Sequence, residues 1–110
     1  MTGYINLFID DERFPPNDGR EWVIARNYEE AIKILSETVP VYISFDHDLG
    51  EEKTGYDVAK WITFKDVDEK FQYLPDDFDF YVHSQNPIGR ENITCTFETY
   101  LKFREFEKCS

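Results

Sequence analysis

The chain has 110 residues, 41% of them apolar and 17% aromatic, which is enough for one compact core and too little for a second domain. Its net charge of −11, with no basic run to displace counterions from a phosphate backbone, speaks against general binding to duplex nucleic acid. No apolar stretch approaches a membrane span, and the opening MTGYINLFID carries neither a basic region nor a signal-length apolar segment, so a single domain over residues 1–110 in the cytoplasm is expected.

YINLFI, residues 4–9, is a short, mostly apolar run suited to a strand buried on both faces. It stops at Asp10-Asp11. An irregular loop follows, broken by Pro15-Pro16 and Asn17-Asp18-Gly19. WVIA, residues 22–25, reads as a second strand. Asn27 and Glu30 have the spacing of a capping box, and the helix behind them would bury Ala31, Ile32, Ile34 and Leu35 and be closed by Pro40. VYISF, residues 41–45, is β-branched and aromatic and gives the third strand. After a loop over residues 46–53, Thr54 and Asp57 repeat the capping pair and start a helix through GYDVAKWITF, with Val58, Trp61 and Ile62 facing inward. Residues 65–77 read as irregular and FDFYV, residues 78–82, as the fourth strand. In the tail, Ile93, Cys95 and Phe97 alternate as in a strand, whereas Ile93, Phe97, Tyr100, Leu101 and Arg104 step as in a helix; length favours the helix. On one helix Cys95 and Cys109 would lie about 20 Å apart at ~1.5 Å per residue, too far for a disulfide, so both are expected as free thiols.

Strands alternating with helices imply an α/β fold with a mostly parallel sheet and crossovers on its faces. The C-terminal strand ends then share one edge, where ligands of open α/β sheets bind. Asp10 and Asp11 end the first strand, Arg26 follows the second, Asp46-His47-Asp48 the third and His83-Ser84 the fourth; both histidines of the chain are among them. Taken singly, an Asp pair after a strand is a solvated turn and a histidine at a strand end is structural. Their joint placement marks a site. Two chemistries fit. Asp10, Asp11 and Asp46 would hold a hard divalent cation, Mg²⁺ or Mn²⁺, that polarises a phosphoryl oxygen. Alternatively His47 and His83 would act as general base and general acid on a phosphodiester, supported by Asp46 and Asp48; an unperturbed imidazole pKa of ~6.5 suits either role. Both schemes need phosphate anchoring, for which Arg13, Arg26 and the turn SQNPIGREN, with Ser84 and Asn86, are the donors. Trp22, Trp61 and the Phe residues read as core. No GxGxxG, P-loop or nucleophile elbow is present.

FIDDERFP resembles the acidic pair of response-regulator receiver domains, and ISFDHDLG…TGYD resembles their third strand with its phosphoacceptor aspartate. Ser84 stands where receivers carry a hydroxyl residue. The fuller set FIDDERxP, WVxAR, SFDHDLG, TGxD and VHSxNPxGxxNI is closer to a divergent branch, the cyclic-phosphate-processing receiver-like domains, over residues 5–101. The resemblance implies a three-layer, flavodoxin-like sheet of about four strands with helices on both faces. It is truncated: no helix separates the first two strands, and no fifth strand with the receiver's lysine follows the fourth. Asp10, Asp46, His47, Asp48, His83 and Ser84 are the implied site positions, joined by Arg26 and Asn86. The implied activity opens or hydrolyses a cyclic phosphate, so the expected partner is a small cyclic-phosphate nucleotide or an RNA end. The alternative is a non-catalytic module that binds a nucleotide or docks on a partner. Phosphotransfer to Asp46 as a signalling switch lacks the lysine that receivers use.

Overall fold

Four strands, β1 (Tyr4–Ile9), β2 (Trp22–Ala25), β3 (Val39–Phe45) and β4 (Asp79–Val82), form one all-parallel sheet in the order β2-β1-β3-β4. Three helices join or follow them: α1 (Tyr28–Glu37), α2 (Gly55–Asp68) and α3 (Pro87–Cys109). These elements come from a computed structural model that describes residues 4–109, so the first three residues of the opening segment lie outside it. Among the described residues no helix is long and apolar enough to cross a membrane.

The helix starts follow the capping chemistry of the sequence. Asn27 accepts from the Glu30 amide at 2.9 Å, and Thr54 and Asp57 make a reciprocal capping box at the head of α2. Two stretches differ from the expectation. Pro40 does not close α1, which ends at Glu37 with Thr38 extended. It is instead a buried residue inside β3, which therefore starts at Val39. Proline has no amide to give the ladder, and the β1–β3 register shifts beside it, between Ile5 and Asn6. The second difference is that α2 runs on through residues 65–68, where irregular chain was expected. Asp66, fully buried, holds that last turn by accepting from the Tyr73 and Leu74 amides and from Tyr100 and Arg104. Lys70 and Phe71 then reverse the chain in the left-handed region, at φ 56° and 65°. At Asn86-Pro87 the chain enters α3. Asn86 accepts from the Gly89 amide at 3.0 Å, and proline suits the first helical position because its missing donor would be unpaired there anyway.

The largest difference concerns layers. From β2 to β3 and from β3 to β4 the chain steps across the sheet in the same direction, so right-handed crossovers put α1 and α2 on one face. α2 packs against both α1 and α3, so all three helices form a single layer. Only the step from β1 to β2 goes the other way, and it is made by residues 10–21 without a helix. The receiver-like α/β sheet is present, but the expected second helical layer is replaced by this loop, and the fold has two layers. The core lies between sheet and helices: Leu7, Ile9, Ile43, Phe45 and Val82 meet Ala31, Leu35, Val58, Ile62, Ile93 and Phe97. Because strand side chains alternate, Phe8, Trp22, Tyr42, Ser44, Tyr81 and His83 point to the opposite, helix-free face.

Candidate functional site

The ladder carries three side chains to the rim of that open face. The Asp10 amide donates to Ala25, the Asp46 amide to Ile9 and the His83 amide to Phe45, each one residue beyond its strand. Asp10, Asp46 and His83 each offer a ligand atom, and these atoms lie within 4.8 Å of one another.

His83 is fixed on both nitrogens. Its Nδ1 is 2.7 Å from the Ser44 hydroxyl, and its Nε2 is 2.9 Å from Asp10 Oδ2. Its ring stacks on Phe8, with centroids 4.7 Å apart and planes 1° from parallel. β3 lies between β4 and β1, so this stack has to cross it. Ser44, the register partner of both Phe8 and Tyr81, is the small residue that lets the imidazole through.

The two carboxylates are driven apart in acidity. Burial would raise Asp10, but its Oδ1 accepts from the Arg13 and Glu12 amides, each at 2.9 Å, and its Oδ2 faces His83; together these leave it below the ordinary carboxyl range. Asp46 ends above that range. Burial is the main cause and the Asp10 charge adds to it, only partly offset by His83 and by the Ser84 hydroxyl. Paired carboxylates separated in this way can hold different protonation states at one pH.

The other expected residues divide between this cluster and its flanks. His47 is not beside His83. One residue past Asp46, it turns toward the helical layer, where its ring lies so close to Gly89 of α3 that a Cβ there would overlap it. Its Nδ1 is 3.1 Å from Asp48, which also accepts from Asn86 at 3.4 Å. His47, Asp48 and Asn86 are therefore a second cluster on the same rim. Ser84 joins the two, touching Asp46 and accepting from the Asn86 amide at 3.1 Å. Asp11 stands apart from the cation-sized group, exposed and directed at Gly50, where a Cβ would come within 3.0 Å of its carboxylate. Arg13 has its Nε 3.9 Å from Asp10 and remains half exposed. Arg26 donates one Nη to the Asp10 and Arg13 carbonyls and lies over the Phe14 ring, so it clasps the 10–21 loop to the end of β2.

Next to His83 the open face holds a cleft of about 470 Å³, walled by the loop on one side and β4 on the other. Phe8, Phe14, Trp22, Tyr42 and Tyr81 supply rings, Arg13 and Arg20 positive charge. Sequence reasoning missed this surface. Trp22 and Phe14 were expected in the core, yet Trp22 lines the cleft and Phe14 is 78% exposed. Ser44 and Tyr81 were not singled out at all. The signal was available as strand parity: each alternates with a core residue, Ser44 with Ile43 and Phe45, Tyr81 with Val82.

A parallel sheet with a buried acidic residue at the end of β1, another at the end of β3 and a hydroxyl residue after β4 is the frame of a receiver-like domain. The chain belongs to the cyclic-phosphate processing receiver domain family, whose pattern it matches over residues 5–99. Comparison with curated proteins and with solved structures gave no match.

Proposed function

We propose that this domain is a phosphoesterase that opens a cyclic phosphodiester at the Asp10–Asp46–His83 cluster. One observation carries the reading: His83 belongs at once to the acidic cluster and to the wall of the cleft. A phosphate reaching the mouth of that cleft meets an imidazole held in one orientation, with ligand atoms of Asp10 and Asp46 within 4.8 Å of it and Arg13 to balance the phosphate charge.

In this scheme water attacks phosphorus and gives its proton to the Asp46 carboxylate. The bond from phosphorus to one ribose oxygen breaks, and that oxygen displaces Asp10 Oδ2 from His83 Nε2 and takes the proton the imidazolium holds there, while Nδ1 stays on Ser44. The product is a phosphomonoester with a free hydroxyl, and the two side chains return to their starting states by exchange with solvent. Asp10 and Ser44 orient the ring. The pairing of His83 with Asp46, rather than with His47, follows from the separation of the two imidazoles between clusters. His47, Asp48 and Asn86 are left to position the start of α3 beside the phosphate.

A second reading rests on the same three side chains as a cation site. Donors about one ion at ~2.1 Å are at most about 4.2 Å apart, so Asp10, Asp46 and His83 would close by a few tenths of an ångström. One imidazole and two carboxylates suit Mn²⁺ better than Mg²⁺, which favours oxygen alone. Bound there, the ion would polarise a phosphoryl oxygen.

The test is turnover of 2′,3′- and 3′,5′-cyclic nucleotides and of cyclic-phosphate-ended oligonucleotides, in chelator and with Mn²⁺ or Mg²⁺. Hydrolysis in chelator that is lost in His83→Ala and kept in His47→Ala fits the acid–base scheme. Strict Mn²⁺ dependence moves the cluster to the cation reading. A folded protein that turns over nothing but binds a cyclic nucleotide saturably would be the non-catalytic module instead.

A further inference from the structure

We infer that the helix-free face of the sheet is a nucleobase-stacking platform, so that the ligand is a nucleoside phosphate rather than a sugar phosphate or a small phosphodiester. The inference rests on the reading of the His83 cluster as the phosphate end of the site, and it identifies what lies at the other end.

Three features support it. The cleft walls are aromatic where a solvated sheet face would be polar, and Tyr81 is 57% exposed there. An exposed ring that faces open cleft is a stacking surface for any base. The arginine in the cleft is also placed to stack. The Arg20 guanidinium lies 4.5 Å from the Tyr42 ring centroid and 5.8 Å from that of Trp22. Asp18 holds this arrangement by accepting from the Arg20 amide at 3.1 Å, from its guanidinium, and from the Trp22 indole N–H at 3.3 Å. The Arg20 side chain remains 46% exposed, so its guanidinium keeps surface for a further flat group, as bases stack on arginine in single-stranded nucleic acid. Third, the platform is continuous with the cluster. Tyr81 in β4 and His83, one residue past its end, are two residues apart on one face, about 7 Å along the chain, a separation that a ribose can bridge between its phosphate and its base. The cleft volume of about 470 Å³ falls within the range of small-molecule sites. Arginines in the cleft of a chain with net charge −11 favour an anionic occupant over a second acidic copy of the chain.

The experiment compares, by calorimetry on the intact protein, nucleoside 3′-monophosphates, 1-O-methylribose 3-phosphate as the abasic counterpart, and inorganic phosphate. Stacking of one base is expected to make the nucleoside forms bind about 5- to 150-fold more tightly than the abasic one. Tyr81→Ala, at an exposed position on an edge strand, should erase most of that difference and leave abasic binding unchanged. Tyr81→Phe should retain it, and Arg20→Ala should reduce it. Equal affinity for nucleoside and abasic phosphates, no binding of either, or a Tyr81→Ala loss shared equally by both would overturn the inference. A short RNA ending in the same 3′-phosphate distinguishes the source of the base: tighter binding than the mononucleotide assigns the site to RNA ends, comparable binding to free nucleotides, and either upholds stacking. Base-dependent binding without turnover would sink the catalytic proposal and leave this one standing. Turnover of an abasic cyclic phosphate as fast as a nucleoside one would do the reverse.

Discussion

Ser44 has two roles at one position: its hydroxyl fixes His83 Nδ1, and its small size lets the imidazole lie across β3 onto Phe8. Ser44→Ala should keep the stack but free the tautomer, which nitrogen NMR shifts of His83 report, and should lower any turnover roughly 10- to 100-fold, as loss of an orienting hydrogen bond does around other site residues. Ser44→Val fills the crossing and should abolish the ring-current effect of Phe8 on His83. At Asp46 the expectation concerns stability. Its folded-state pKa lies above that of the unfolded chain, so the native state disfavours the charge. The penalty is absent below the unfolded value of ~3.9 and complete above the folded value. Asp46→Asn should therefore raise Tm at neutral pH in chelator, with the gain vanishing below pH ~3.9. Equal gains at both pH values would contradict this assignment. Sites commonly give up stability for function in this way.

Among the elements, the joint between α2 and α3 depends on one ion pair. Asp66 and Arg104 are both buried, with the Arg104 Nε 2.8 Å from Asp66, and the guanidinium also donates to the Phe71 and Leu74 carbonyls. Breaking a buried pair from one side leaves a charge without its partner, so Arg104→Met should cost about 3–5 kcal/mol in urea unfolding. The cap of α2 should matter less. Thr54→Ala is expected to cost about 1 kcal/mol. Burial raises the Asp57 carboxyl, but its bonds to Thr54 outweigh that and lower it overall. Its stabilising effect is thus present above pH ~3.9 and lost as pH falls through the lowered value, so Asp57→Asn should flatten the acid limb of the stability profile. The sequence showed these caps because capping is local chemistry at fixed spacing. It did not show that α2 continues to Asp68 or that Pro40 enters β3. Both depend on partners far along the chain: Arg104 and Tyr100 for the former, Ile5 for the latter.

At the scale of the molecule, helices cover one face of the sheet and a loop with a cleft the other. The cleft is open because residues 10–21 make the only crossover on that side and contain no helix to fill it. The rim also reaches into the helical layer through close glycines. A Cβ at Gly55 would overlap the Asp46 carbonyl, and one at Gly89 would overlap the His47 ring. Gly89→Ala should therefore shift α3 or expel His47, seen as altered His47 resonances together with a lowered Tm. The net charge of −11 works against the compact state as a whole, and raising salt from low to physiological strength should increase Tm by screening it.

Local and periodic information settled much about this protein from sequence alone. Strand and helix order, the caps, the parallel sheet and the gathering of Asp10, Asp46 and His83 at one rim all follow from spacing and from the rule that parallel strands end together. Which face each rim residue takes was decided only in three dimensions. A single residue's step past a strand end sends Asp46 to the cluster with Asp10 and His83, and His47 to α3. The aromatic platform was likewise hidden, because Trp22, Tyr42 and Tyr81 have the composition of core residues, and only the absence of a helix above them leaves them open to a ligand.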